Sequence, residues 1–301
     1  MIMSGPALPD ALYYLRNFRH AIQWVVERNR DLLSQAEQTF ASQLEALSVP
    51  AQALLARLSM RRGDLFRRSK IQYAEIEPLS DAFVELSEHG WLDARPRLCL
   101  QDVFRLCTRG ELALRFGDPL RRMSKHDAYD ALFEAHDGER PFQEWLNTEE
   151  AAYHVTIAPM VRQFRLLHFG NFHQEWHQYT LAHLQIFKYE PVPLEVSNRP
   201  FESRADIEFF YALYECYEAV SEGAELPEVL ALLPECTSEH GWLRRRWDRL
   251  RFHLGQAAER QEDPELALQM YRNNSQPEAC VRQVRLLERK HFRIPVLPEM
   301  T

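Results

Sequence analysis

Three kinds of residue cluster in this chain have types and spacing suited to chemistry: arginine-rich stretches, a histidine pair and a short acid–base triplet. The arginine stretches dominate. Residues 57 to 73 hold Arg57, Arg61, Arg62, Arg67, Arg68 and Lys70 against one acid, Asp64. Residues 74 to 93 carry six acids and no Lys or Arg. Residues 105 to 125 turn basic again, with Arg105, Arg109, Arg115, Arg121, Arg122 and Lys125 against Glu111 and Asp118. Cations of this kind neutralise phosphates and release counterions, so the expected chemistry is salt-dependent attraction to a nucleic-acid backbone. The whole chain has a formal charge of -8. Attraction must therefore come from the local field and not from the sum. The bland alternative is a solvated surface with internal ion pairs to Glu75, Glu77 and Asp81.

The other clusters are weaker. "RRRWDRLR", Arg244 to Arg251, places Trp247, Leu250 and Leu254 on a buried helical stripe and its arginines elsewhere. Those arginines suit the five glutamates of residues 222 to 239 or a neighbouring domain better than a ligand. "HQEWH" sets His173 and His177 at a spacing that can hold zinc, with His168 and His183 nearby. Its glutamate is misplaced for H-E-x-x-H, so packing is the expected role. "ERK", Glu288 to Lys290, matches the tail of a PD-(D/E)xK nuclease signature, but its surroundings are helical by period and lack the required strand. No catalytic residue and no metal ligand is assigned. P-loop, G-x-S-x-G, C-x-x-C and dinucleotide fingerprints are absent.

Helices must position these residues. Leu12, Leu15, Phe18, Ile22, Val25 and Val26 recur at helical spacing from Asp10 to about Asn29. A second amphipathic helix is expected over 34 to 47. Ser48 and Pro50 open a third. Pro78 begins a fourth, with Leu79, Phe83 and Leu86 inward and Gly90 as its stop, before Trp91 and Leu92 as a short extended piece. Between the third and fourth, Leu65 to Tyr73 reads as an extended ribbon with Arg67, Ile71 and Tyr73 on one face and Arg68 and Lys70 on the other. Helix, basic ribbon, helix, short strand is a winged-helix-like order over 10 to 95.

"TRGE" and "SKHD" resemble capping boxes that open short helices at 109 to 116 and 125 to 135. The basic loop "GDPLRRM" lies between them, and Leu112, Phe116, Tyr129, Leu132 and Phe133 supply a small core. That layout, over 100 to 137, is SAP-like. Residues 134 to 150 read as an acidic linker. Beyond it, helices are expected at 159 to 168, 171 to 189, 204 to 220, 240 to 259, 264 to 273 and 277 to 290, a tetratricopeptide-like array without a clean 34-residue period. The fold class is thus mostly α: a winged-helix/SAP-like DNA-binding region over 1–150, then a tetratricopeptide-like helical domain over 151–301.

Composition agrees. With 10 glycines, abundant Leu, Ala, Glu and Arg, 46% apolar and 27% charged residues, the chain favours helix and a globular class. Five scattered cysteines argue for free thiols in a reducing compartment. No run of apolar residues is long enough to span a membrane. The N-terminal residues lack a secretion signal.

Together, "LYYLRNFRHAIQWVVERNRDLLSQAEQTF", "LSVPAQALLARLSMRRGDLFRRSKIQYAEI" and "RRRWDRLRFHLGQ" resemble the Fanconi-associated nuclease family, above all in L-x-A-R-L-x-x-R leading to K-x-x-Y-x-E-I. The resemblance covers most of the chain, in order. It implies an N-terminal DNA-binding region with a SAP module, a helical tetratricopeptide-like region and a C-terminal nuclease domain using Mg²⁺ or Mn²⁺. It also implies cutting near 5′ flaps, 5′-to-3′ exonuclease action, and repair of interstrand crosslinks. The sequence stops at Thr301, before any nuclease signature, so the expectation is the DNA-gripping part alone, with a nuclease domain in cis or trans, no cofactor of its own and an intracellular place with DNA. DNA contact is expected at Arg61, Arg62, Arg67, Arg68, Lys70 and Tyr73, and at Arg121, Arg122 and Lys125. The rival expectation is a protein-interaction scaffold without DNA binding. A homodimer leaves no distinctive pattern and stays open.

Overall fold

The computed structural model describes residues 11–178, 199–236 and 238–291. It divides into two compact units, residues 1–198 and 199–301.

The first unit is built on helices α1 (Tyr13–Asn29), α2 (Gln35–Ala46), α3 (Val49–Ser59) and α4 (Leu79–Glu88). Local chemistry starts two of them well. Ser34 and Glu37 form a capping box on α2, and Ser48 caps α3 with Pro50 in its first turn. Leu15, Phe18, Ile22 and Val25 of α1 are buried as the period requires, joined by Phe40, Leu54, Leu55, Leu58 and Phe83. Helix α9 (Ala158–Phe169) packs on α1 and sends Phe164 to within 5.2 Å, ring to ring, of Phe40.

The expected ribbon is different. Only Leu65–Arg67 is a strand, β1, and its partner is not the next stretch but β4, Ala152–His154, in antiparallel register. Arg68–Lys70 then curl into a 3-10 turn, so the predicted alternation of faces out to Tyr73 does not exist. Nearby, Asp93 bridges His154 through paired backbone hydrogen bonds of 2.8 and 3.0 Å. The chain therefore leaves the first helices at Asp93 and comes back beside the same spot at His154.

The excursion between holds α5 (Leu100–Leu106), α6 (Arg109–Phe116), α7 (Lys125–Phe133) and α8 (Phe142–Leu146), with β2 (Arg97–Leu98) paired to β3 (Arg140–Pro141). Its core is Leu98, Leu100, Val103, Phe104, Leu112, Phe142 and Trp145, with Phe116, Tyr129 and Leu132 partly buried against it. Trp145 Nε1 donates to the Leu98 carbonyl at 2.7 Å. Two expectations fail here. Residues 134 to 150 are not a linker, because Phe142 and Trp145 close this core. Phe133, expected inside, is 58% exposed. The boundary expected at 150 fails with them: β4 and α9 belong to the first unit.

The second unit contains α10 (Arg204–Glu222), α11 (Leu226–Leu232), α12 (Gly241–Arg260), α13 (Pro264–Tyr271) and α14 (Pro277–His291). Phe210 stacks on Trp242 with 9° between ring planes. Gly255 lets α13 approach closely: a Cβ there would lie 2.4 Å from the Tyr271 ring. "ERK" is helical, within α14.

Candidate nucleic-acid interface

The end of α3 and the turn after β1 carry the first basic group. Gly63 takes a left-handed φ of 84° and turns the chain from α3 into β1. Arg57 lies over the Tyr14 ring at 3.9 Å and near Tyr73 at 5.3 Å, and pairs with Glu75. Burial pushes the Tyr14 hydroxyl up to about 12. Arg61 sits over the same Tyr73 ring at 5.4 Å and donates to the Lys70 carbonyl at 2.9 Å. Tyr73 is thus covered by two guanidiniums, an internal contact and not an open stacking platform. Arg68 donates to the Ile71 carbonyl at 3.0 Å and lies over Phe83 at 4.7 Å. Arg62 and Lys70 are exposed.

Arg67 departs most from expectation. It is 8% exposed, with one guanidinium nitrogen 2.6 Å from Glu111 and the other on Glu150. Its plane also lies 5.5 Å from the Phe142 ring. The Glu150 hydrogen bond, helped by Glu111, raises the arginine's pKa further. Burial alone would raise Glu111, but hydrogen bonds from Thr108 and Arg67 bring it down to about 2. A phosphate could reach Arg67 only by displacing two carboxylates. Arg67 is withdrawn from the DNA-contacting set for that reason. The internal acids are also not those expected, since Glu111 and Glu150 take the place assigned to Glu77 and Asp81.

The second basic group lies between α6 and α7. Thr108 and Glu111 form the expected capping box, and Ser124 caps α7. Asp118–Arg122 form a 3-10 turn that exposes Arg121 and Arg122. Arg121 meets Asp118 at 3.2 Å on the open surface, a pairing worth little. Lys125 donates to the Cys107 carbonyl at 3.0 Å. Arg109, exposed at the start of α6, donates to the Met123 carbonyl at 3.3 Å. It joins this loop as a cation that sequence reasoning counted among the basic residues but did not place.

The two groups meet through one short stretch: Lys125 binds Cys107, and Arg67 binds Glu111. Burial pushes the Cys107 thiol up to about 11, with both Arg67 and Lys125 near enough to oppose the shift.

Elsewhere, Arg251 is buried and donates to the carbonyls of Gln269 and Arg272 at 2.8 and 3.0 Å. Arg246 lies over Phe210 and Trp242. These two hold their own unit together, through backbone and rings and not through the glutamates of residues 222 to 239. His173 lies in a bend, and the chain becomes helical only at 176, so His173 and His177 do not share a helix face. His183 lies outside the described residues. Among the described residues, no group of three or more His, Cys, Asp or Glu is arranged to hold a metal ion.

Comparison with known proteins decides the family. The model "FAN1, HTH domain" matches residues 12–93 and "Fanconi anemia-associated nuclease SAP domain" matches residues 97–145. Both models belong to the Fanconi-associated nuclease family, and the chain is similar to the N-terminal region of its members. A Fanconi-associated nuclease 1 homolog from Pseudomonas aeruginosa is 37% identical over 290 residues, which is 95% of this chain and 52% of that protein. A homolog from Oryza sativa subsp. japonica is 34% identical over 95 residues, 32% of this chain and 10% of that protein. The crystal structure of paFAN1 bound to 5′ flap DNA with a 2-nucleotide flap and a gap superposes with a TM-score of 0.87 at 37% identity, covering 95% of this chain and 53% of that one. A second, with a 1-nucleotide flap, gives 0.85 over 93% of this chain and 53% of that one. The chain therefore spans about half the length of the Pseudomonas aeruginosa relative.

Proposed function

We propose that this chain grips branched DNA, 5′-flap junctions in particular, as the non-catalytic part of a structure-selective nuclease. The observation that carries the reading is the 0.87 superposition, over 95% of the chain, on a protein crystallised with 5′-flap DNA. Arg62, Lys70, Arg121 and Arg122 make the contacts, with Arg61, Arg68, Lys125 and Arg109 shaping their surroundings. Recognition is of backbone and junction geometry and not of bases. Cleavage beside the flap, Mg²⁺ or Mn²⁺ and crosslink repair belong to the nuclease half of the family, which this chain serves where DNA is kept in the cell.

Fluorescence anisotropy with a labelled 5′-flap oligonucleotide and a blunt duplex tests this. The flap binds more tightly. Replacing Arg62 and Lys70 by Ala, or Arg121 and Arg122 by Ala, weakens both substrates and flattens the logarithmic salt slope by about 1.8 for each pair. Equal affinity for flap and blunt DNA, or double variants that bind as the parent does, rejects the proposal.

A further inference from the structure

The Arg67 cluster joins three parts of the chain that are far apart in sequence. Arg67 comes from β1, Glu111 from the first turn of α6, and Glu150 from the segment leading into β4. Glu150 also accepts from the Ser69 hydroxyl, and the Arg68 N–H donates to the Ala151 carbonyl at 2.9 Å. Glu111 is simultaneously the reaching-back partner in the capping box of α6, its carboxylate accepting the Thr108 N–H at 2.8 Å. One planar guanidinium thus fixes the second helix of the SAP unit against the strand that follows α3. Its fork geometry constrains direction as well as distance. The exposed cations ride on the two sides of this joint: Arg62 and Lys70 flank β1, while Arg121 and Arg122 follow α6.

We propose that Arg67 is a positioning residue, which pins the SAP unit to the helix-turn-helix unit through Glu111 and Glu150 and so sets the relation between the two groups of DNA-facing cations. Flap preference depends on that relation, because a bent junction presents phosphates along two directions and a rigid pair of cation groups matches only one bend. General attraction to duplex does not depend on it. The proposal rests on the DNA-binding reading above, and the test separates the two.

Removing Arg67 alone leaves two half-buried carboxylates unpaired and risks unfolding the SAP unit. The informative protein is the triple variant R67M/E111Q/E150Q, which removes every charge of the cluster, beside the double variant E111Q/E150Q. A simple field effect predicts that losing two negative charges tightens all DNA binding. Positioning predicts the reverse for the flap: the flap-to-blunt affinity ratio falls about tenfold in both variants, while the salt slope on blunt duplex stays at the parent value. A triple variant that keeps the parent ratio overturns the proposal. So does a slope flattened by about 0.9, since Arg67 is then a phosphate ligand. Should the parent itself show no flap preference, the DNA reading fails first. Hydrogen exchange on the chain without DNA then judges the joint. Faster exchange at both β1 and α6 in the triple variant supports it, and unchanged exchange at either one overturns it.

Discussion

At the scale of single residues, the surroundings of a charge decide its work. Arg62 and Arg67 look alike in sequence and do opposite things in the fold. The local pattern showed positive charge but not burial, because the acids that bury Arg67 come from far along the chain. The cluster has a pH signature. Glu111 is held at about 2 and Glu150 is lowered as well, first by Arg67. A carboxylate depressed on folding stabilises the fold above its unfolded value, near 4.3, and loses that contribution as pH falls through its folded one. Urea midpoints should therefore drop between pH 5 and about 2.5 by more in the parent than in E111Q/E150Q. Parallel curves would mean that these acids gain nothing from Arg67. Among the other assigned cations, the exposed ones were legible from sequence, while Tyr73 could be placed under its two arginines only once the turn at Arg68–Lys70 was seen.

At the scale of elements, the capping boxes and long periodic helices were readable because their signals are local. Thr108 with Glu111 announces a helix start and forms as expected, while Ser34 with Glu37 closes a second box on a helix that its apolar period had placed. Short elements escaped. Helices α5, α8 and α11 run for 7, 5 and 7 residues, too few for a period to show. The pairing of β1 with β4 escaped because nothing in three residues names a distant partner. Two substitutions probe this scale. T108A removes the cap of α6 and should cost about 1 kcal/mol by urea denaturation. G255A forces a Cβ against the Tyr271 ring, whose hydroxyl is already bonded to Glu259. It should destabilise by about 1–3 kcal/mol, read as a lower melting temperature.

At the scale of the whole molecule, a net charge of -8 surrounds a few exposed cations. If Arg62, Lys70, Arg121 and Arg122 each neutralise one phosphate, the salt slope is about -3.6, and raising salt from 50 to 200 mM weakens binding roughly a hundredfold. A shallow slope measured by anisotropy would contradict that set.

The adjacency of Asp93 and His154 has a further consequence. Everything between them leaves and re-enters through one doorway, so the stretch behaves as a cassette plugged into a finished helical frame. Replacing residues 95 to 151 by a tight turn, with R67M to avoid stranding a cation, should leave the frame's thermal transition by circular dichroism cooperative. Such a graft point lets an engineer exchange one insert for another without rebuilding what carries it.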